Sequence, residues 1–288
     1  MSGQPAILLT AANGRTGRAV VAALAAGGLS CRVFIRDPAQ WPALQALGAT
    51  SHAVGDMADP QSIVRALEGV HSVIFIGPPM HPDEATFVGN FLAAAQRANL
   101  RQFLYYSVMH PLRRDVRHHG LKLDAEQHII ESGVPYSILQ PIRYMQHLEG
   151  IWKTVISDGV HAMPFNVEAK FNVVDLVDLA EATARVAATT DYLYGTYELA
   201  GPESLSQADM ARIISQVIGK PVHAEQVPIK TLRDRGQAAG LSTDRIEQMS
   251  IMNQHYDAYG FAGNPAALTM ILGRPPSTFR NYVERLIR

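Results

Sequence analysis

The stretch Ala6-Ile7-Leu8-Leu9-Thr10-Ala11-Ala12-Asn13-Gly14-Arg15-Thr16-Gly17-Arg18-Ala19-Val20-Val21 decides the fold. An apolar run of strand length is followed by turn residues, and then by apolar positions at helical spacing, with Val20, Val21 and Leu24 on one face. A glycine at position 14 lets backbone approach an anion, Gly17 lets helix pack closely on strand, and the first N–H groups of the helix attract negative charge. Ala11 stands where such a turn has its first glycine. A glycine pair is also compatible with a plain tight turn, but its place between a strand and a helix favours a dinucleotide site. Ala11, Asn13, Gly14, Arg15, Thr16 and Gly17 are the contacts this reading expects.

Working outward, the strand and helix periods keep alternating. Strands are expected over 6–10, 31–35, 50–54, 72–76, 102–107 and 136–140, with helices between them, which is the pattern of repeated βαβ units. Asp59 before Pro60 and Asp83 before an amphipathic stretch look like helix N-caps. After Pro141 the alternation stops, and helical periods cover 176–188, 206–218, 242–259 and 277–286. The fold class is therefore α/β: a Rossmann-type doubly wound parallel sheet over 1–141, with a smaller, mainly helical substrate region over 142–288 that partly interleaves with the sheet.

The second strand ends in Arg36, where an acidic residue would accept from ribose hydroxyls and a guanidinium instead matches a 2′-phosphate. This places NADP(H) ahead of NAD(H); two solvated arginines beside Asp37 are the alternative. Asp56 and Met57 follow the third strand, Gly77 and Pro78 the fourth and Ser107 the fifth, while Pro141 ends the sixth. All fall at the carboxyl edge of a parallel sheet, where ligands bind.

The 288 residues carry 25 Lys+Arg against 26 Asp+Glu, so net charge lends nothing to direct nucleic-acid binding. Cys31 is the single cysteine, and the histidines form no metal-ligand spacing, so no metal site is expected. No window has the apolar length of a membrane span, and no secretory leader pattern is visible, so a cytoplasmic protein is expected.

Several motifs resemble the NmrA-like group of atypical short-chain dehydrogenases/reductases: AANGRTG at the first turn, IRDP after the second strand, GDMADP after the third, YYSVMHP at the fifth, HHGLKLDAEQHIIESGVPYSILQPIRYMQ and the terminal LGRPPSTFRNY. The likeness spans essentially the whole chain. It implies an NAD(P)-binding Rossmann domain with a smaller substrate domain, in a family that includes reductases and redox-sensing regulators. The wider superfamily uses a tyrosine four residues before a lysine, with a nearby serine. Here Lys122 matches the lysine, but His118 stands in place of the tyrosine.

His118, Lys122 and Glu126 share a helix face by their four-residue spacing. Lys122 is the candidate for holding the nicotinamide ribose or relaying a proton, and His118 for supplying one; a Lys122–Glu126 surface pair is the alternative. His110, Tyr144 and Met145 are candidate substrate contacts. The resulting expectation is an NADPH-dependent reductase of a small enone, quinone or related carbonyl compound, set against a non-catalytic NADP(H)-sensing regulator. A homodimer or a regulatory partner stays open.

Overall fold

The computed structural model describes residues 6–288; the expected start of the first domain at residues 1–5 lies outside them. In chain order the elements begin β1 (Ala6–Leu9), α1 (Arg15–Ala26), β2 (Cys31–Ile35), α2 (Trp41–Ala46), β3 (Ser51–Val54), α3 (Pro60–Ala66), β4 (Val70–Phe75), α4 (Glu84–Ala98), β5 (Gln102–Tyr106), α5 (Arg117–Glu131) and β6 (Tyr136–Pro141). They continue with α6 (Trp152–Asp158), β7 (Val160–Met163), β8 (Phe171–Asn172), α7 (Leu176–Ala188), β9 (Gly195–Leu199), β10 (Ser204–Leu205), α8 (Gln207–Ile218), β11 (His223–Gln226), α9 (Ile229–Ala238), α10 (Thr243–Tyr259), α11 (Ala266–Leu272) and α12 (Phe279–Leu286).

Two compact units emerge. The first takes the described residues up to Leu112, with Leu121–Gln140 and Val177–Tyr197. It contains a seven-stranded sheet in the order β3-β2-β1-β4-β5-β6-β9, and the pairings from β3 through β6 are parallel. This is a Rossmann-like α/β fold. Strands β1, β4 and β5 are buried almost throughout, as expected of a parallel sheet covered by helices. On one side Phe75, Phe91, Phe103 and Tyr105 join Leu8 and Ile129 in a continuous core, with Phe75 and Phe91 edge to face at 5.3 Å.

Helix α7 packs into this first unit although it follows β6 by some 35 residues of intervening chain. Buried hydrogen bonds fix it. Gln102 Nε2 donates to Ser137 Oγ at 2.9 Å and to the Val186 carbonyl at 3.3 Å, and Arg101 donates to the Ala187 carbonyl at 3.1 Å.

The second unit comprises Arg113–Gly120, Pro141–Leu176 and Glu198–Arg288. Its strands are short: β8 pairs antiparallel with β10, and β7 pairs parallel with β11. Helices carry most of it. The caps are those the residue types dictate: Asp59 accepts from Gln61 N, Ser206 and Thr278 close capping boxes on α8 and α12, and Ser242 accepts from Arg245 N. Asp83 precedes α4 without a side-chain cap bond. Among the described residues no helix is long and apolar enough to cross a membrane.

Candidate functional site

In the first unit the turn after β1 is built from three local constraints. The Thr10 hydroxyl donates to the Ile76 carbonyl at 2.9 Å and accepts from Ile76 N at 2.8 Å, tying the carboxyl ends of β1 and β4 together. Ala11, at the position of the missing first glycine, takes φ 47, a left-handed conformation that costs a β-carbon roughly 1 kcal/mol or more. Gly17 admits no alternative: a Cβ there would lie 2.4 Å from the Ala11 carbonyl oxygen and 2.6 Å from Ala12 Cα. Gly14 is different. It is the N-cap of α1, exposed, with no side-chain cap bond, and a Cβ on it would meet only the Ala11 oxygen, at 3.3 Å. The helix start therefore presents its N–H groups at an exposed glycine, as an anion cradle requires.

The same sheet edge carries the other expected contacts. Asn13 and Arg15 are exposed and Thr16 half-buried; Asn13 accepts from Arg18 Nη1 at 3.2 Å. Arg36 is exposed at the end of β2, whereas Asp37 turns away to accept from Ala39 N at 2.9 Å. Asp56 accepts from Ala58 N at 2.8 Å, and Met57 packs on the core. Gly77 and Pro78 follow β4, Ser107 follows β5, and Pro141 closes β6. His110 is exposed, at φ 57.

Lys122 is buried. Its ammonium donates to Glu84 Oε1 at 2.5 Å and to the Tyr106 carbonyl at 2.8 Å, and lies 5.1 Å from the Tyr105 ring centre. Tyr105 donates its phenol to the same Glu84 oxygen at 2.8 Å. Burial, reinforced by the Glu84 charge and this bond, holds that phenol well above its ordinary pKa. Gly77 makes room for the carboxylate, since a Cβ there would stand 2.5 Å from Glu84 Oε1.

Glu126 does not pair with Lys122 at the surface. It is buried, accepts from the Ser107 hydroxyl, and takes Gln140 Nε2 on both oxygens at 2.9 and 3.1 Å. Burial raises its carboxyl pKa, with the Ser107 and Gln140 bonds and the Lys122 charge pulling the other way. The Ser107 hydroxyl is thereby committed within the protein. His118 sits half-buried in the first turn of α5, with its ring 6.0 Å from that of His119.

Tyr144 and Met145 lie in the second unit, on the wall of a recess that also includes Arg143, His161, Phe165 and Gln207. Tyr144 stacks on His147 at 5.7 Å and 9°. Polar members of these two clusters that the sequence pattern does not reveal are Glu84, Tyr105 and Gln140 around Lys122 and Glu126, and Arg143, His161 and Gln207 in the recess. Glu84 is 38 positions from Lys122, and Arg143, His161 and Gln207 come from the loop after β6, from β7 and from α8, so no spacing pattern connects them.

The chain is 25% identical over 279 residues to the NAD(P)H azoreductase of Xenophilus azovorans, covering 96% of each protein. Among solved structures it resembles the NADPH-dependent quinone oxidoreductase of Escherichia coli complexed with NADPH, at a TM-score of 0.86 and 22% identity, over 98% of this chain and 100% of that one. It also resembles the Citrobacter sp. triphenylmethane reductase complexed with NADP(H), at a TM-score of 0.85 and 20% identity, over 98% and 100%. These two likenesses are of fold. The NmrA-like family model matches residues 4–272, nearly the whole length, and the chain belongs to the NmrA-like family.

Proposed function

We propose that the protein is an NADPH-dependent reductase of a small conjugated acceptor, of the quinone, enone or azo class. The observation that carries this reading is the exposed Gly14 at the uncapped start of α1, with Arg36 exposed at the end of the neighbouring strand. Gly14 and the α1 N-terminus would take the pyrophosphate, and the Arg36 fork would take the 2′-phosphate. The azoreductase likeness over 96% of both chains supports the reaction class.

When bound, the dinucleotide supplies a hydride. The chain's own part is to orient it and manage the proton. Asp56 and Met57 would border the adenine, and Gly77, Pro78, Ser107 and Pro141 the nicotinamide side. Lys122 has two of its three N–H groups committed, to Glu84 and Tyr106, which leaves one for a ribose hydroxyl or a proton relay. His118 is the second proton donor in this reading, and His110, Tyr144 and Met145 are its substrate contacts.

The test is cofactor oxidation. Purified protein should oxidise NADPH in the presence of a quinone or azo acceptor and prefer it to NADH. Tight NADPH binding without turnover across a quinone, enone and azo panel would overturn the reductase reading in favour of a dinucleotide sensor.

A further inference from the structure

Arg143 is the unusual charge of the second unit. Its backbone is clamped, with its carbonyl accepting from Val174 N at 3.0 Å just before Met145 N donates to the Val174 carbonyl at 2.9 Å. Its side chain is half-buried, with the guanidinium carbon 5.3 Å from the Phe165 ring centre and Nη2 3.8 Å from the Met163 sulfur. No carboxylate stands against it among the described residues. The phenol of Tyr256 is the acidic group near it, and burial keeps that phenol protonated. A guanidinium in such surroundings loses hydration without regaining an opposite charge, and that loss carries a free-energy cost.

Two neighbours share this lack. His161 is 4% exposed and its Nδ1 finds no protein partner; Gln207 is 1% exposed, spends its amide N–H on the Phe165 carbonyl at 2.5 Å, and leaves Oε1 without one. All three line the recess described above. Its cavity volume is about 20 Å³, enough for a water or two or a small polar group. The walls are aromatic and thioether groups: Tyr144, Met163 and Phe165.

We propose that this recess is a carboxylate-binding subsite, in which the Arg143 fork and a His161 ring nitrogen hold the acid group of a planar aromatic ligand while Gln207 Oε1 accepts from a hydroxyl on that ligand. Planar bidentate recognition of a carboxylate is what an arginine does better than a lysine. Aromatic walls suit a flat ring behind the acid group. The subsite lies wholly within the second unit and stands apart from the reductase reading.

Binding can be tested without turnover. Salicylate, titrated into the full-length protein, should shift the His161 imidazole resonances saturably, and neutral salicylamide should leave them in place. In Arg143→Met the apparent Kd for salicylate should rise roughly tenfold to a hundredfold, the size of one charge-assisted contact, and Arg143→Lys should recover only part. Salicylate and salicylamide behaving alike in the parent protein, or neither shifting His161, overturns the proposal whether or not the variants fold. Salicylate binding without any cofactor oxidation would instead leave the subsite standing and remove the reductase reading.

Discussion

Arg36 and Lys122 are both cations near the sheet edge, yet their surroundings assign them different work. Arg36 is exposed, so its replacement leaves the fold alone. For Arg36→Ala we expect a loss of about 1.5–3 kcal/mol in NADPH binding, roughly tenfold to a hundredfold in Kd, with NADH almost unaffected; calorimetric titration of both cofactors checks this. Lys122 is the opposite case. Removing it strands the buried Glu84 carboxylate, which in a buried pair costs on the order of 3–5 kcal/mol. Lys122→Met should therefore melt well below the parent, and adding Glu84→Leu should recover much of the loss. Activity separates structure from chemistry: if Lys122 moves a proton, the double variant should remain about a hundredfold slow despite its regained stability. A double variant as active as the parent would make the lysine a structural group only.

At the scale of elements, the turn between β1 and α1 sets its two glycines in different surroundings. Gly17 faces backbone at distances no Cβ adopts, and backbone cannot move aside cheaply. Gly17→Ala should lower the thermal stability of the first unit, an effect of several degrees in the melting temperature. Gly14 has open space on its outer side, so Gly14→Val should fold, as circular dichroism would show, yet lose NADPH binding because its side chain would fill the proposed pyrophosphate position. Full NADPH affinity in a folded Gly14→Val would place the pyrophosphate elsewhere. Helix α7 illustrates a different point about elements. Its period over residues 176–188 is plain in the sequence, but its attachment to the sheet depends on Gln102 and Arg101, more than 80 positions earlier.

Across the whole molecule, two buried titratable groups, one in each unit, respond to pH in opposite directions. Burial, with the Arg143 charge beside it, lowers the His161 imidazole to about 4. Its contribution to the second unit is complete above the ordinary histidine value of 6.5 and is lost as pH falls toward 4, because the unfolded chain takes up the proton first. At about 1.4 kcal/mol per pH unit this amounts to roughly 3 kcal/mol. Glu126, in the first unit, has a raised pKa, so its contribution is complete at low pH and lost as pH rises through its folded value. Hydrogen exchange at pH 7 and pH 5, corrected for intrinsic rates, should show the β7 amides opening more readily at pH 5. A His161→Leu protein should show much less of this change. Equal acid sensitivity in parent and variant would assign the effect to other groups.

What the sequence by itself determined is what short-range chemistry encodes. The βαβ repeat is legible because strand and helix periods differ and each is set by neighbouring residues. The turn at Gly14 and Gly17 is legible because closed approach and an open helix start demand those residue types within a few positions. The cap at Asp59 is a local hydrogen bond and is legible for the same reason; Asp83 shows that the residue type alone does not guarantee the bond. Only the tertiary structure decided which partner each buried charge has. Lys122 lies four residues from Glu126 in the helix, and spacing alone allows that pair, but the packed fold brings Glu84, at the start of α4, to the lysine and gives Glu126 to Ser107 and Gln140. Likewise Arg143, His161 and Gln207 come from a loop, a strand and a helix far apart in sequence, and their convergence is a matter of packing. A one-dimensional pattern carries periodicity and local geometry; desolvation and charge pairing depend on through-space neighbours, which exist only once the chain has folded.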